Sequence, residues 1–186
     1  MDVEKIINEL RRATHGMVPP ASQSIVSQFG RDPFLVLISC ILSLRTKDTV
    51  SLPASIRLFE HAHTPSSFLT LSQETIVSAI YPVGFYRRKA LTIHKICAEL
   101  LSRYNGQVPS TLQELMSLPG VGLKTANLVL GEGFAIPALC VDTHVHRISN
   151  RLGIVRTKTP EETEAALRVV IPEKYWIEWS KLLVMM

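Results

Sequence analysis

Cysteine is scarce in this 186-residue chain: Cys40, Cys97 and Cys140 are the three, and no two fall at Cys-x-x-Cys spacing. An odd, scattered set argues against both a disulfide framework and a structural zinc site. Each lies among apolar neighbours, as in Ala138-Leu139-Cys140-Val141, so buried thiols are expected. Long apolar runs are missing too. Residues 34–44 fall short of the roughly 20 that cross a bilayer, and residues 1–12 alternate charge with apolar side chains instead of forming the apolar centre of a signal peptide. An intracellular protein is expected, in the cytoplasm or nucleoid, or in a nucleus or organelle if eukaryotic. Strand signals are nearly absent, as are repeats of solenoid period and low-complexity segments.

What is present is an apolar, mildly basic composition. Hydrophobic residues make up 46% and charged residues 19%, which excludes disorder and allows one domain or two small ones with a substantial core. The net charge of +4 is compatible with a polyanionic partner without demanding one. Basic residues are grouped as Arg45 and Lys47, and as Arg87-Arg88-Lys89 beside Tyr86.

Helical periodicity dominates. Val3, Ile6, Ile7 and Leu10 mark a first amphipathic helix; residues 22–30 make a short second one. Asp32-Pro33 opens an almost wholly apolar helix over 34–43, which has no polar stripe and belongs in a core. Residues 49–59 read as a helix with Pro53 in its first turn, and 89–104 as a long helix stopped by Asn105-Gly106. Thr111-x-x-Glu114 and Thr159-Pro160-Glu161-Glu162 are capping boxes. A last helix begins near Pro172 and carries Trp176 and Trp179, whose spacing suits a core more than a stacking platform. About ten helices follow, in an all-α fold.

The chemistry concentrates in Leu118-Pro119-Gly120-Val121-Gly122-Leu123-Lys124-Thr125-Ala126 and, further on, Val141-Asp142-Thr143-His144. Gly120 and Gly122 permit a tight turn and close approach by another backbone, and the amides and positive dipole of the following helix suit a phosphate. Lys124 stands in the first turn of that helix, where the dipole disfavours a cation. It reads either as a phosphate contact or as a nucleophile. An ordinary lysine amine is neutral in only about one molecule in a thousand at neutral pH, so a nucleophilic role needs desolvation or a base. Asp142 is that candidate base and equally a good N-cap for residues 143–152. His144 and His146, two apart on a helix, face different sides and make a poor metal pair.

These segments resemble the signature of the helix-hairpin-helix DNA glycosylases, and within them the endonuclease III branch. The likeness extends through Ile41-Leu42-Ser43-Leu44-Arg45-Thr46-Lys47-Asp48, through Val83-Gly84-Phe85-Tyr86-Arg87-Arg88-Lys89-Ala90, through Tyr104-Asn105-Gly106-Gln107-Val108-Pro109, and through Val141 to Arg147. The resemblance implies a base excision repair glycosylase with AP lyase activity, acting as a monomer on double-stranded DNA that carries a damaged base, an oxidised pyrimidine foremost, or an abasic site. It matches Lys124 to the Schiff-base lysine and Asp142 to the catalytic aspartate. Relatives that only remove the base typically lack the lysine. Arg45, Lys47, Phe85, Arg87, Arg88, Lys89, Gly120, Val121, Gly122 and Thr125 are the expected DNA contacts, with Phe85 and Arg45 entering the stack as the base leaves it. Here the chain departs from the family, which often has Gln at the position of Arg45 and an aliphatic wedge at that of Phe85. A monofunctional glycosylase and a non-catalytic helix-hairpin-helix module are the alternatives.

The expected fold has two lobes about a cleft, with residues 22–135 carrying the hairpin and residues 1–21 plus 136–186 forming the second. No catalytic metal or redox cofactor is evident. Family members usually hold a [4Fe–4S] cluster on four cysteines near the C-terminus, so a cluster is expected only if the polypeptide extends beyond Met186. A monovalent cation on hairpin carbonyls is a further expectation from the resemblance.

Overall fold

The computed structural model describes residues 2–186, and every regular element among them is helical. They divide into two compact units, one spanning Ala21–Ala135 and the other joining the segment through Pro20 to Ile136–Met186.

The larger unit is built round α3 (Pro33–Ser43), which follows α2 (Ala21–Phe29). Asp32 caps α3 by accepting from the Phe34 and Leu35 amides at 2.8 and 3.2 Å, and Pro33 supplies the preset first turn. Every residue from Phe34 to Leu42 is buried, as an apolar run without a polar stripe requires. Full burial of Leu37, Ile38, Ile41 and Leu42 contributes roughly 2 kcal/mol for each side chain. Against this axis pack α4 (Asp48–Phe59), α7 (Tyr86–Tyr104) and α9 (Leu123–Leu128), while α5 (Pro65–Thr70) lies on α7, α6 (Gln73–Ile80) on α4 and α7, and α8 (Leu112–Ser117) on α9. Helix α9 runs straight into a π turn, Val129–Gly133.

In the smaller unit α1 (Val3–Ala13) lies against the last helix. α10 (Thr143–Arg151) and α11 (Pro160–Val170) complete it, with a 3₁₀ turn, Glu173–Tyr175, leading into α12 (Trp176–Met185). Its core gathers Ile7 and Leu10 with Val141, Val145, Leu167, Trp179 and Leu183. Arg11 of α1 grips both carboxylate oxygens of Glu178 at 2.7 and 2.9 Å.

Several local expectations are corrected. Pro53 lies inside α4, past the first turn, and that helix begins at Asp48, one residue before the expected start. The N–H that Pro53 lacks would have paired with the carbonyl of Thr49, an exposed residue, where solvent can replace the missing donor. The helix after the hairpin changes to π geometry past Leu128, and the final helix starts four residues after Pro172, behind the 3₁₀ turn. Each capping threonine forms its bond, Thr111 to the Glu114 amide and Thr159 to that of Glu162. The glutamates do not reciprocate as a capping box requires. Glu114 accepts the Thr111 hydroxyl, while Glu162 reaches the Lys158 amide at 2.8 Å.

Candidate active site

The hairpin between α8 and α9 is anchored from beneath. Leu118 and Val121 are buried, and the Val121 amide donates to the Leu118 carbonyl at 3.2 Å. Gly120 turns outward at φ +75°, a conformation that excludes most side chains, and a Cβ there would also lie 3.1 Å from Cγ2 of Thr92. Thr92 in turn donates to the Arg88 carbonyl at 3.0 Å. The hairpin tip therefore rests on the early turns of α7, beside the basic run. Gly122 caps α9 with backbone alone, its carbonyl accepting from Ala126 at 2.9 Å. Lys124 projects from that turn and is exposed. Of the expected hairpin contacts, Gly120 and Gly122 are exposed, whereas the side chains of Val121 (7%) and Thr125 (3%) are buried. Their side chains hold the hairpin onto the bundle, so any contact they make with a ligand is through backbone, as expected of hairpin amides.

A second surface is formed by the loop after α3 and the turn before α7. Arg45 (φ +52°) and Phe85 (φ +58°) both adopt left-handed backbone, which costs on the order of 1 kcal/mol each for residues bearing a Cβ. Both are exposed, Phe85 at 62%. Lys47 is the exposed N-cap of α4, and Arg87 and Arg88 are exposed on α7. The Arg87 guanidinium lies 5.6 Å above the Tyr86 ring, which meets Tyr81 edge-to-face at 5.4 Å.

Lys89 corrects the expectation of a basic triplet facing DNA. It is 7% exposed, and its ammonium donates to the carbonyls of Leu42 (2.8 Å) and Leu44 (2.6 Å) and to Oγ1 of Thr46 (3.1 Å). Burial pushes its pKa down to about 8. The signal was present in the spacing: Lys89 precedes Ile93 by four and Ile96 by seven, on the apolar stripe of α7. Thr46 was not singled out from the sequence, and no local pattern marks it.

Asp142 belongs to the smaller unit. It sits in extended backbone at the start of α10, and its Oδ1 accepts from the His144 and Val145 amides at 2.9 Å each. Val141 and Val145 on either side are buried, which fixes the cap. His144 is exposed, while Nδ1 of His146 pairs with the Thr163 hydroxyl at 2.6 Å, so the two imidazoles serve different surroundings.

The cysteines do not fit an iron–sulfur cluster. All three are buried; Cys40 and Cys97 lie in the larger unit and Cys140 in the smaller, and no group of three metal-ligating side chains occurs among the described residues. Burial also pushes the Cys97 thiol up to about 12, away from the thiolate that a metal requires. No helix among the described residues is long and apolar enough to cross a membrane.

Comparison with known proteins agrees with this geometry. Residues 38–173 match the HhH-GPD superfamily base excision DNA repair protein model. Endonuclease III of Thermotoga maritima is 50% identical over 165 residues, 86% of this chain and 78% of that protein. A non-covalent endonuclease III–DNA complex superposes with a TM-score of 0.85 at 36% identity, over 98% of this chain and 82% of that one. A trapped endonuclease III–DNA covalent intermediate superposes with a TM-score of 0.83 at 35% identity, over 98% and 83%. The chain spans about half the length of the eukaryotic relatives that it matches. With the family model covering most of its length, the chain belongs to the HhH-GPD superfamily of base excision DNA repair proteins.

Proposed function

We propose that this chain is a bifunctional DNA glycosylase and AP lyase, which removes damaged bases, oxidised pyrimidines foremost, and cuts the resulting abasic site through a Schiff base on Lys124. The observation that carries the reading is the place of Lys124, an exposed residue on the first turn of a helix whose cap, Gly122, has no side chain. A phosphate seated on that turn puts the sugar of a flipped nucleotide within reach of the amine. The Thermotoga relative and the two DNA-bound structures support the same assignment.

In the proposed sequence, Gly120, Gly122 and the exposed cations Arg45, Lys47, Arg87 and Arg88 grip the phosphates of double-stranded DNA. Phe85 and Arg45 fill the stack as the damaged nucleotide leaves it. Asp142 takes a proton from the Lys124 ammonium or stabilises positive charge developing on the sugar. The amine attacks C1′, forming a C–N bond as the glycosidic bond breaks, and the base departs with that electron pair and a proton. Opening of the sugar ring at C1′ gives the protonated imine. Loss of a proton from C2′ then expels the 3′ phosphate, and the strand is cut. Asp142 performs this role while its Oδ1 remains the cap of α10.

The test is a duplex carrying one oxidised pyrimidine, incubated with the protein alone. The expected product is a nicked strand with an unsaturated aldehyde on its 3′ end, formed without alkali. Base release with nicking only after alkali would make the enzyme monofunctional. Retention of the base would leave a DNA-binding module.

A further inference from the structure

The loop carrying Arg45 and the turn carrying Phe85 are joined by one buried knot. Thr46 follows Arg45, and Gly84 precedes Phe85. The Gly84 amide donates to Oγ1 of Thr46 at 3.1 Å, and the same oxygen accepts from the Lys89 ammonium at 3.1 Å while lying 3.3 Å from the Leu44 carbonyl. A Cβ on Gly84 would stand 2.9 Å from the Arg45 carbonyl oxygen, so the two backbones are in contact. The three protons of Lys89 meet three acceptors, Leu42 O, Leu44 O and Thr46 Oγ1, all of them neutral. Two of these are carbonyls at the C-terminal end of α3, where intrahelical donors run out and a cation is favoured.

We infer that Thr46 and Lys89 are positioning residues that lock Arg45 and Phe85 into a single two-pronged wedge. Left-handed backbone at residues with a Cβ persists where surrounding contacts over-determine it. Here the over-determination is shared, since the Thr46 hydroxyl is bonded to the turn before one prong and adjoins the other in the chain. Displacing Gly84 breaks a contact that also holds the Arg45 loop, so the prongs advance and retreat together. Burying an ammonium against neutral oxygens opposes folding, and the cost is understandable where the geometry it enforces is used. The inference rests on the reading that both prongs enter the DNA stack.

The experiment is a double-mutant cycle on single-turnover excision of a damaged base from a fully paired duplex. Arg45→Ala and Phe85→Ala are measured singly and together, in the wild type and in Thr46→Val. In the wild type the double variant should be little worse than the weaker single one. In Thr46→Val the two losses should multiply, changing the coupling by roughly tenfold. Thr46→Ser, which keeps the hydroxyl, should restore wild-type coupling. Lys89→Met repeats the test from the other side of the knot, and Thr46→Val carries it if that variant fails to fold. Multiplying losses in the wild type, equal coupling in Thr46→Val, or a serine that behaves as valine would each overturn the lock. If neither Arg45→Ala nor Phe85→Ala slows excision in the wild type, the wedge reading itself falls and takes the lock with it.

Discussion

Helices α9 and α10 start from almost the same backbone, φ −101° and ψ 178° at Gly122 against φ −104° and ψ −172° at Asp142, yet they treat their first amides in opposite ways. At α10 the protein supplies its own carboxylate, and Asp142 satisfies two amides. At α9 the cap has no side chain, and in the proposed function a DNA phosphate takes the place of the missing carboxylate. One N-terminus thus holds a fixed anion, and the other is the proposed seat of a phosphate. The first carries the proposed base, and the second carries the proposed nucleophile, Lys124.

Removing the charge from the filled terminus should have the largest effect. Asp142→Asn keeps a side chain that caps as well as aspartate, so the melting temperature should barely move. Single-turnover excision should fall by roughly 10²- to 10⁴-fold, the range for a positioned acid–base group. If stability falls and turnover is untouched, Asp142 is a cap and nothing more.

Filling the other terminus sharpens the contrast. Gly122→Asp would make α9 begin as α10 does, and no heavy atom lies within 4 Å of the new Cβ. Stability should rise by a few tenths of a kcal/mol. Affinity for an abasic-site duplex should drop by about 10- to 100-fold, because the added carboxylate occupies the amides and repels the phosphate. Unchanged DNA affinity would mean that α9 does not seat a phosphate.

Lys89 extends the comparison to a helix C-terminus, where the protein again provides the charge itself. Its pKa of about 8 lies below that of an unfolded lysine, so between pH 8 and about 10.4 the unfolded chain binds the extra proton. The wild type should therefore gain stability over Lys89→Met as pH rises above 8, by roughly 1 kcal/mol per pH unit in denaturant melts at matched pH. Below pH 8 both states hold the proton, and the penalty of the buried ammonium stays at its full, constant value. A stability difference that does not change across this window would contradict the buried ammonium.

The features legible in the sequence were those set by neighbours along the chain. The apolar run of α3 announced its burial, Asp32-Pro33 its start, and Asp142 its cap, since each depends on spacing within a turn or two. The position of Lys124 in the first turn behind the hairpin glycines was legible in the same way. Lys89 was misread because it shares a basic run with Arg87 and Arg88, and its acceptors lie more than forty positions away in the chain. Helix spacing from Ile93 outweighs its charge. The burial of the Val121 and Thr125 side chains beneath the hairpin was not legible, because it depends on what the turn packs against. The π turn after Leu128 carries no distinct periodicity, and Gly133 fits there because α3 passes so close that a Cβ would meet Cα of Pro33 at 2.9 Å.

The central claim is that Lys124 attacks C1′, and borohydride trapping on abasic-site DNA tests it most directly. The wild type should yield a covalent protein–DNA adduct, with peptide mapping placing the linkage on Lys124. Lys124→Gln should bind the same duplex and give no adduct. Full-yield trapping by Lys124→Gln, or a linkage mapped to another amine, would contradict the account.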